Sequence, residues 1–325
     1  MITAYGVNGE AVAISAATPP GVLPDATVWV DLLRPSKEED ALIEGFLGIE
    51  IPTREDLKDI EPSSRLYTTD NAVFMTASLV SKADTDQPEI ADVAFVLAGN
   101  MLITVRYAEP RSFELFTAAM HRIPGGCATG GILVARLFET IVDRTAEILE
   151  TAVARVDSLS LQVFGSQNLQ KRRPPHYLEA RLMDVAAHHR LVAKTRDSLA
   201  SLSRALTFLN TVSAVQEHRE TKELCRTISL DIQSLSEHAS FISGNITFLL
   251  DASLGLINVE QNAIIKIFSI ASVVFLPPTL VASLYGMNFD FMPELHWTFG
   301  YPVALGAMVM SAIIPFYFFR WKGWL

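Results

Sequence analysis

The sequence predicts an α+β membrane protein in three parts. These are an N-terminal cytoplasmic α/β domain (1–125), a segment of long cytoplasmic helices that includes a stalk (126–266), and a transmembrane hairpin (267–325). Three observations carry that reading. β-Branched and aromatic runs of strand length fill the first part. No proline occurs from His176 to Leu276, and only Gly244 and Gly255 interrupt that stretch. Two uncharged apolar runs, Ile267–Tyr285 and Gly300–Phe319, close the chain, each about long enough to cross ~30 Å of hydrocarbon as a helix.

Composition agrees. Of the 325 residues half are hydrophobic and 19% charged, with a mean hydropathy of +0.28; a soluble domain carries about 25% charged residues. The net charge of −10 sits in the N-terminal third, where 9 Lys and Arg face 19 Asp and Glu; the second part holds 15 of each sign and the third two of each. An acidic domain repels nucleic-acid phosphates and favours cations, so no nucleic-acid partner is expected. Cys127 and Cys225 form no CxxC, which excludes a disulfide framework and a cysteine zinc site. The first residues show neither a basic region nor a long apolar run, so no signal peptide is expected.

Taken in order, ATVWVDLL, AVFMTASLV, IADVAFVLAG and MLITVRY read as strands, and Gly99–Asn100 as a hairpin turn between the last two. Ser36-Lys37-Glu38-Glu39 fits a capping box, Thr53-Arg54-Glu55-Asp56 offers a similar acidic first turn, and Pro110 opens a helix over Arg111–His121. Gly125–Gly126 and Gly130–Gly131 lack a strand–GxGxxG–helix setting and read as a linker. Long helices follow over Gly131–Phe164, 177–212 and 216–286, with a loop at Gly165–Pro175 that holds Lys171, Arg172 and Arg173, and a break near Thr211–Gln216. The last helix runs straight into the first span. No sustained heptad with paired flanking charges is evident, so an isolated coiled coil is not expected. The spans cover about 267–286 and 300–319. Lys266 precedes the first, and Arg320 and Lys322 follow the second, with no Lys or Arg between; the positive-inside rule places both termini in the cytoplasm. Trp297, Trp321 and Trp324 stand at interfacial levels.

No constellation supports catalysis: there is no GxSxG, HExxH or Walker loop, and His188–His189 point about 100° apart on one helix. The protein is not expected to be an enzyme or to carry a cofactor. The first span holds the chemistry. At 100° per residue, Asn262, Ile265, Ser269, Ser272, Leu276, Thr279 and Ser283 fall within an arc of about 100°, with Phe268 just beyond its edge and Pro277 and Pro278 off it. Every serine and threonine hydroxyl of the span lies there. Such a stripe serves either helix packing or a wet passage. One hairpin cannot enclose a pore, so a passage requires several copies around an axis. Uncharged oxygens suit a cation that keeps its water, as Mg²⁺ does.

At the end of the first span stands Tyr285-Gly286-Met287-Asn288, then Phe289-Asp290-Phe291-Met292-Pro293-Glu294-Leu295. This resembles the signature of the CorA magnesium transport family, the YGMN motif with its MPEL loop. VEQNAIIKIFSIASVVFLPPTLVAS before it, FFRWKGWL at the end and the overall plan are similar to that family as well, so the likeness covers essentially the whole chain. The resemblance implies a homopentamer in the cell inner membrane, with the first span lining the pore. It implies Gly286, Met287 and Asn288 as selectivity filter, Asn288 forming the outer ring and holding Mg²⁺ through its water shell. By register the family's pore positions fall on Asn262, Ile265, Phe268, Leu276 and Thr279. Asp290 and Glu294 occupy the pore-mouth loop, either drawing cations or solvating it. Mg²⁺ would be both substrate and regulatory ligand, with Co²⁺ and Ni²⁺ as secondary permeants. The regulatory acidic positions cannot be matched, and Thr227 stands where some relatives have an aspartate. Two alternatives stay open: a zinc transporter of the ZntB type, whose members usually differ at the middle of the triplet, and a membrane-anchored sensor or scaffold without a pore.

Overall fold

The computed structural model describes residues 1–14, 23–24, 26–59, 61–85, 87–123, 127–165, 177–288 and 292–323. The chain divides into two compact units, Met1–Leu250 and Asp251–Leu325.

The first unit is built on a seven-stranded sheet of order β2-β1-β3-β7-β6-β5-β4. Its strands are β1 Ile2–Gly6, β2 Ala11–Ile14, β3 Thr27–Leu33, β4 Leu66–Thr68, β5 Ala72–Ser81, β6 Glu89–Ala98 and β7 Met101–Arg106. Only β3 and β7 pair in parallel; the other neighbours are antiparallel. The four runs read as strands are β3, β5, β6 and β7. Gly99–Asn100 joins β6 and β7 as a two-residue hairpin with Ala98 opposite Met101, and Gly99 has φ +58°, a left-handed conformation that suits glycine. The period of two sends alternate side chains to opposite faces. Trp29, Val93, Phe95 and Leu97 join one core with the helices α3 Arg111–Met120, α4 Gly130–Phe164 and α5 Tyr177–Leu209. Val30, Leu32, Ala94 and Val96 join a second with Ile43 of α1, Lys37–Leu47.

Helix starts follow local chemistry. Ser36 caps α1 in a full capping box, with the Glu39 N–H donating to Ser36 Oγ and the Ser36 N–H to the Glu39 carboxylate. Thr53 and Asp56 make the same reciprocal pair, yet only a 3₁₀ turn, Asp56–Lys58, follows. A helix there is therefore a misreading: a cap satisfies donors but cannot supply an apolar stripe. Gly130 and Gly131, read as linker, are the first residues of α4 behind the Thr129 cap. A Cβ on Gly130 would come within 2.8 Å of the Met101 carbonyl carbon, so close backbone approach demands glycine. Gly125 and Gly126 lie outside the described residues, as do Lys171–Arg173.

Two short helices, α2 Pro62–Arg65 and α6 Ser213–Gln216, complete the first unit; α6 occupies the expected break before α7, Arg219–Tyr285. Up to Leu250, α7 buries Thr221, Cys225, Ile228, Ile232, Ala239, Ile242, Ile246 and Leu249, with Leu235 half-buried among them. The steps of four and three make a heptad seam that the sequence pattern hides, because Thr, Cys and Ala hold several of its positions. The opposite exposure is as regular. Leu230, Phe241 and Phe248 are each at least 60% exposed and fall within about 20° on the helix.

In the second unit, α7 continues to Tyr285, a 3₁₀ turn covers Pro293–His296, and α8 spans Gly300–Trp321. Both helices are long and apolar enough to cross a membrane.

Candidate functional site

The first span has two unlike sides. Ile270, Val273, Val274, Pro277, Pro278, Val281 and Tyr285 are half-buried, and they centre on one direction of the helix. On α8 the covered positions are Gly300, Ala304, Met308, Ser311, Ala312, Pro315 and Phe319, again one face and mostly small residues. These two faces are the covered sides of the hairpin, its seam, where the helices meet through side chains rather than by close backbone approach.

The polar arc lies away from that seam. Asn262, Ile265, Phe268, Ser269, Ser272, Leu276, Thr279 and Ser283 are all exposed; Phe268 is 68% and Leu276 66% accessible. Packing against the second span therefore does not account for the stripe. Ser272, Leu276 and Thr279, with Ala271 and Phe275, line a shallow recess of about 320 Å³ along this face. Ser269 stands at the other border, where it also lines a crevice against Phe319.

The hydroxyls have a defined polarity. Ser272 Oγ donates to the Phe268 carbonyl at 2.9 Å, and Thr279 Oγ1 to the Phe275 carbonyl at 2.6 Å. Each proton is spent on the helix, so each oxygen presents only lone pairs outward. A hydrated cation turns its water hydrogens outward and needs such acceptors. Pro277 and Pro278 bring no N–H, which leaves the Val273 and Val274 carbonyls without their donor four residues on. Both lie on the seam side.

The Gly286–Asn288 triplet follows the last residue of α7. The Gly286 N–H donates to the Ala282 carbonyl at 2.9 Å, and the Met287 N–H to the Leu284 carbonyl at 3.4 Å. Gly286 is not in the left-handed region. Its constraint is space: an added Cβ would stand 3.1 Å from the Ala282 carbonyl oxygen. Met287 is 45% exposed and Asn288 is exposed. Asp290, the Glu294 side chain and Trp324 lie outside what is described.

Among the described residues no three His, Cys, Asp or Glu converge on a metal site. A looser gathering surrounds Asp143 on α4. Burial raises its carboxyl above the usual range, and Glu139, Asp231 and Glu147 raise it further. Asp84 is held lower by its hydrogen bonds to Arg144 and Arg111. His188 is half-buried, its Nδ1 at 2.8 Å from the Asp184 carbonyl oxygen.

A family model described as CorA-like Mg²⁺ transporter protein matches residues 24–321. The chain is 36% identical over 304 residues to the magnesium transport protein CorA of Pasteurella multocida, covering 93% of each chain. It is 34% identical over 325 residues to the protein of the same name from Haemophilus ducreyi, covering all of both. In fold it is similar to the complete structure of the CorA magnesium transporter from Methanocaldococcus jannaschii, with a TM-score of 0.75 at 17% identity over 100% of this chain and 99% of that one.

Proposed function

The chain belongs to the CorA-like Mg²⁺ transporter family, and from that premise we propose that it is a channel for Mg²⁺ uptake whose pore is lined by the first span. The carrying observation is the exposure of Asn262, Ser269, Ser272, Thr279 and Ser283 on the side of α7 turned away from the hairpin seam. Oxygen acceptors facing lipid are costly, so this side should face water. Identical copies arranged about an axis enclose that water; we take the assembly to be a homopentamer in the cell inner membrane with both termini cytoplasmic. The exposed Leu230, Phe241 and Phe248 of α7 give the copies an apolar surface to share.

In this reading Mg²⁺ arrives with its first water shell, which it surrenders reluctantly. A ring of Asn288 amide oxygens accepts hydrogen bonds from those waters. Gly286 permits the tight helix end that places the ring, and Met287 helps hold it. Asp290 and Glu294 draw cations to the mouth. Inside, the Ser272 and Thr279 oxygens accept from the same waters, while Ile265, Phe268 and Leu276 form constrictions that close when water withdraws. The driving force is the inside-negative potential, about 2.3 kcal/mol per charge per 100 mV. Co²⁺ and Ni²⁺ pass as secondary ions. Cytoplasmic Mg²⁺ closes the channel by binding carboxylates of the acidic part. Protease protection compared with and without millimolar Mg²⁺ tests that closure, and identical digestion patterns contradict it.

Mg²⁺ flux into liposomes holding the purified protein tests the function. The expected result is potential-driven entry, with Asn288→Ala losing flux or admitting other ions. Unchanged flux and selectivity in that variant would remove the filter assignment. Met287 at the middle of the triplet favours this ion over Zn²⁺, and competition between the two metals decides that point.

A further inference from the structure

At the cytoplasmic end of the hairpin a crevice of about 270 Å³ lies between the spans, walled by Lys266, Ser269, Ile270, Val273 and Phe319. It extends from Lys266 to Val273, about 10 Å along α7. The wall is apolar throughout, so Lys266 contributes its methylene stem rather than its ammonium. Lys322 follows Phe319 by three residues, on the same side of α8, with Arg320 between them. No carboxylate occurs in either span, and among the described residues none pairs with Lys266, Arg320 or Lys322.

We propose that this crevice is a specific site for one anionic phospholipid of the inner leaflet, an acyl chain lodged against Ile270, Val273 and Phe319 and the phosphate held between Lys266 and Lys322. The inference rests on reading the two helices as a membrane hairpin, not on the ion that passes. Two chemistries adjoin: an apolar slot within the hydrocarbon and, towards its headgroup-level end, ammonium groups with no carboxylate partner among the described residues, the Lys322 Nζ standing 5.9 Å from the centre of the Trp321 ring. Soluble phosphate would use only the second, and a neutral lipid only the first. Each basic side chain near the surface favours an anionic headgroup by roughly five-fold. The bound lipid would also brace Phe319 against the border of the polar arc at Ser269.

The experiment uses the full chain in phosphatidylcholine nanodiscs containing a minor fraction of phosphatidylglycerol, with native mass spectrometry of the released assembly counting retained lipid. The wild type should retain phosphatidylglycerol over phosphatidylcholine by ten-fold or more. The double variant Lys266→Gln/Lys322→Gln should bring the ratio near one. Ile270→Trp, which fills the slot, should reduce retention of both lipids. An unchanged ratio in the double variant, or spontaneous disulfide formation between copies bearing Ile270→Cys, overturns the proposal; the second result would put a neighbouring copy in the slot. Mg²⁺ flux in the same preparations separates the readings, because lipid retention without flux indicts the channel and flux without retention indicts the lipid site.

Discussion

Thr279 on the first span shows how much a single side chain can be asked. Its hydroxyl proton goes to the Phe275 carbonyl, and its oxygen faces the open side of α7. Thr279→Val keeps the shape and removes the acceptor. Mg²⁺ flux should fall several-fold in that variant and return in Thr279→Ser, because one lost hydrogen bond to a hydrated ion is worth about 1 kcal/mol. Equal flux in Val and Ser variants would show that the oxygen does not meet the ion. The Gly286–Asn288 triplet proposed as filter was read from the YGMN string, and the arc from helical periodicity. The inward donation of the hydroxyl protons was not, since side-chain rotamers leave no trace in sequence. Two residues away from the membrane make a separate prediction. Burial raises the Cys127 and Cys225 thiols from 9.0 to about 11. The folded state therefore holds these protons more tightly than the unfolded chain does. Their contribution is complete below pH 9 and is lost as pH rises through about 11, on the order of 2 kcal/mol per thiol. Thermal unfolding of the full chain between pH 8 and 11 should show a steeper loss in the wild type than in a Cys127→Ala/Cys225→Ala variant; parallel curves would contradict it.

At the scale of elements, the parts read correctly are those whose signal is local. The Ser36 capping box, the Gly99–Asn100 turn and the two long apolar helices each carry their information within a few neighbouring residues. Ser36→Ala should weaken α1 by about 1 kcal/mol, seen as roughly five-fold faster hydrogen exchange over 37–47, since the Glu39 N–H loses its acceptor. What escaped has a common cause. β1, β2 and β4 are short, and two of them lie at the ends of the sheet, so their stability comes from partners distant in sequence. β1 is centred between β2 and β3, a pairing that no local pattern announces. The Thr53 box has the local signal without the partner, and it yields only a turn. The heptad seam of α7 shows the converse, as Thr221, Cys225 and Ala239 are buried by their neighbours rather than by their own hydrophobicity. The exposed side of that helix supplies the element's test. Phe241→Asp, on a position 65% exposed, should leave the protomer folded while lowering the assembled mass in detergent. A fully assembled Phe241→Asp variant would remove this face from the contacts between copies.

For the whole molecule, the decisive quantity is the number of chains that share one passage. A protomer offers a single exposed arc and a shallow recess, and neither encloses water. In the proposed reading transport is then a property of the ring, whereas an alternating-access carrier would work one chain at a time. The two ideas differ in how activity responds to mixing. Leu276→Trp places a bulky ring on the arc, where Leu276 is now 66% exposed, without disturbing the seam. If five chains line one pore and one such ring blocks it, an equal mixture of wild-type and Leu276→Trp subunits keeps roughly 3% of wild-type flux, the chance that all five are unmodified. Independent chains would keep about half, in proportion to the wild-type fraction. Co-expressed mixtures at several ratios, reconstituted at equal total protein, give the exponent directly from the curvature. The arrangement of charge fits the ring as well. The acidic excess lies entirely within residues 1–125, while the spans are free of charge. Five copies would gather about fifty negative charges on the cytoplasmic side. A linear response to mixing would leave the polar arc without the water it is argued to face, and would end the pore assignment whatever the ion.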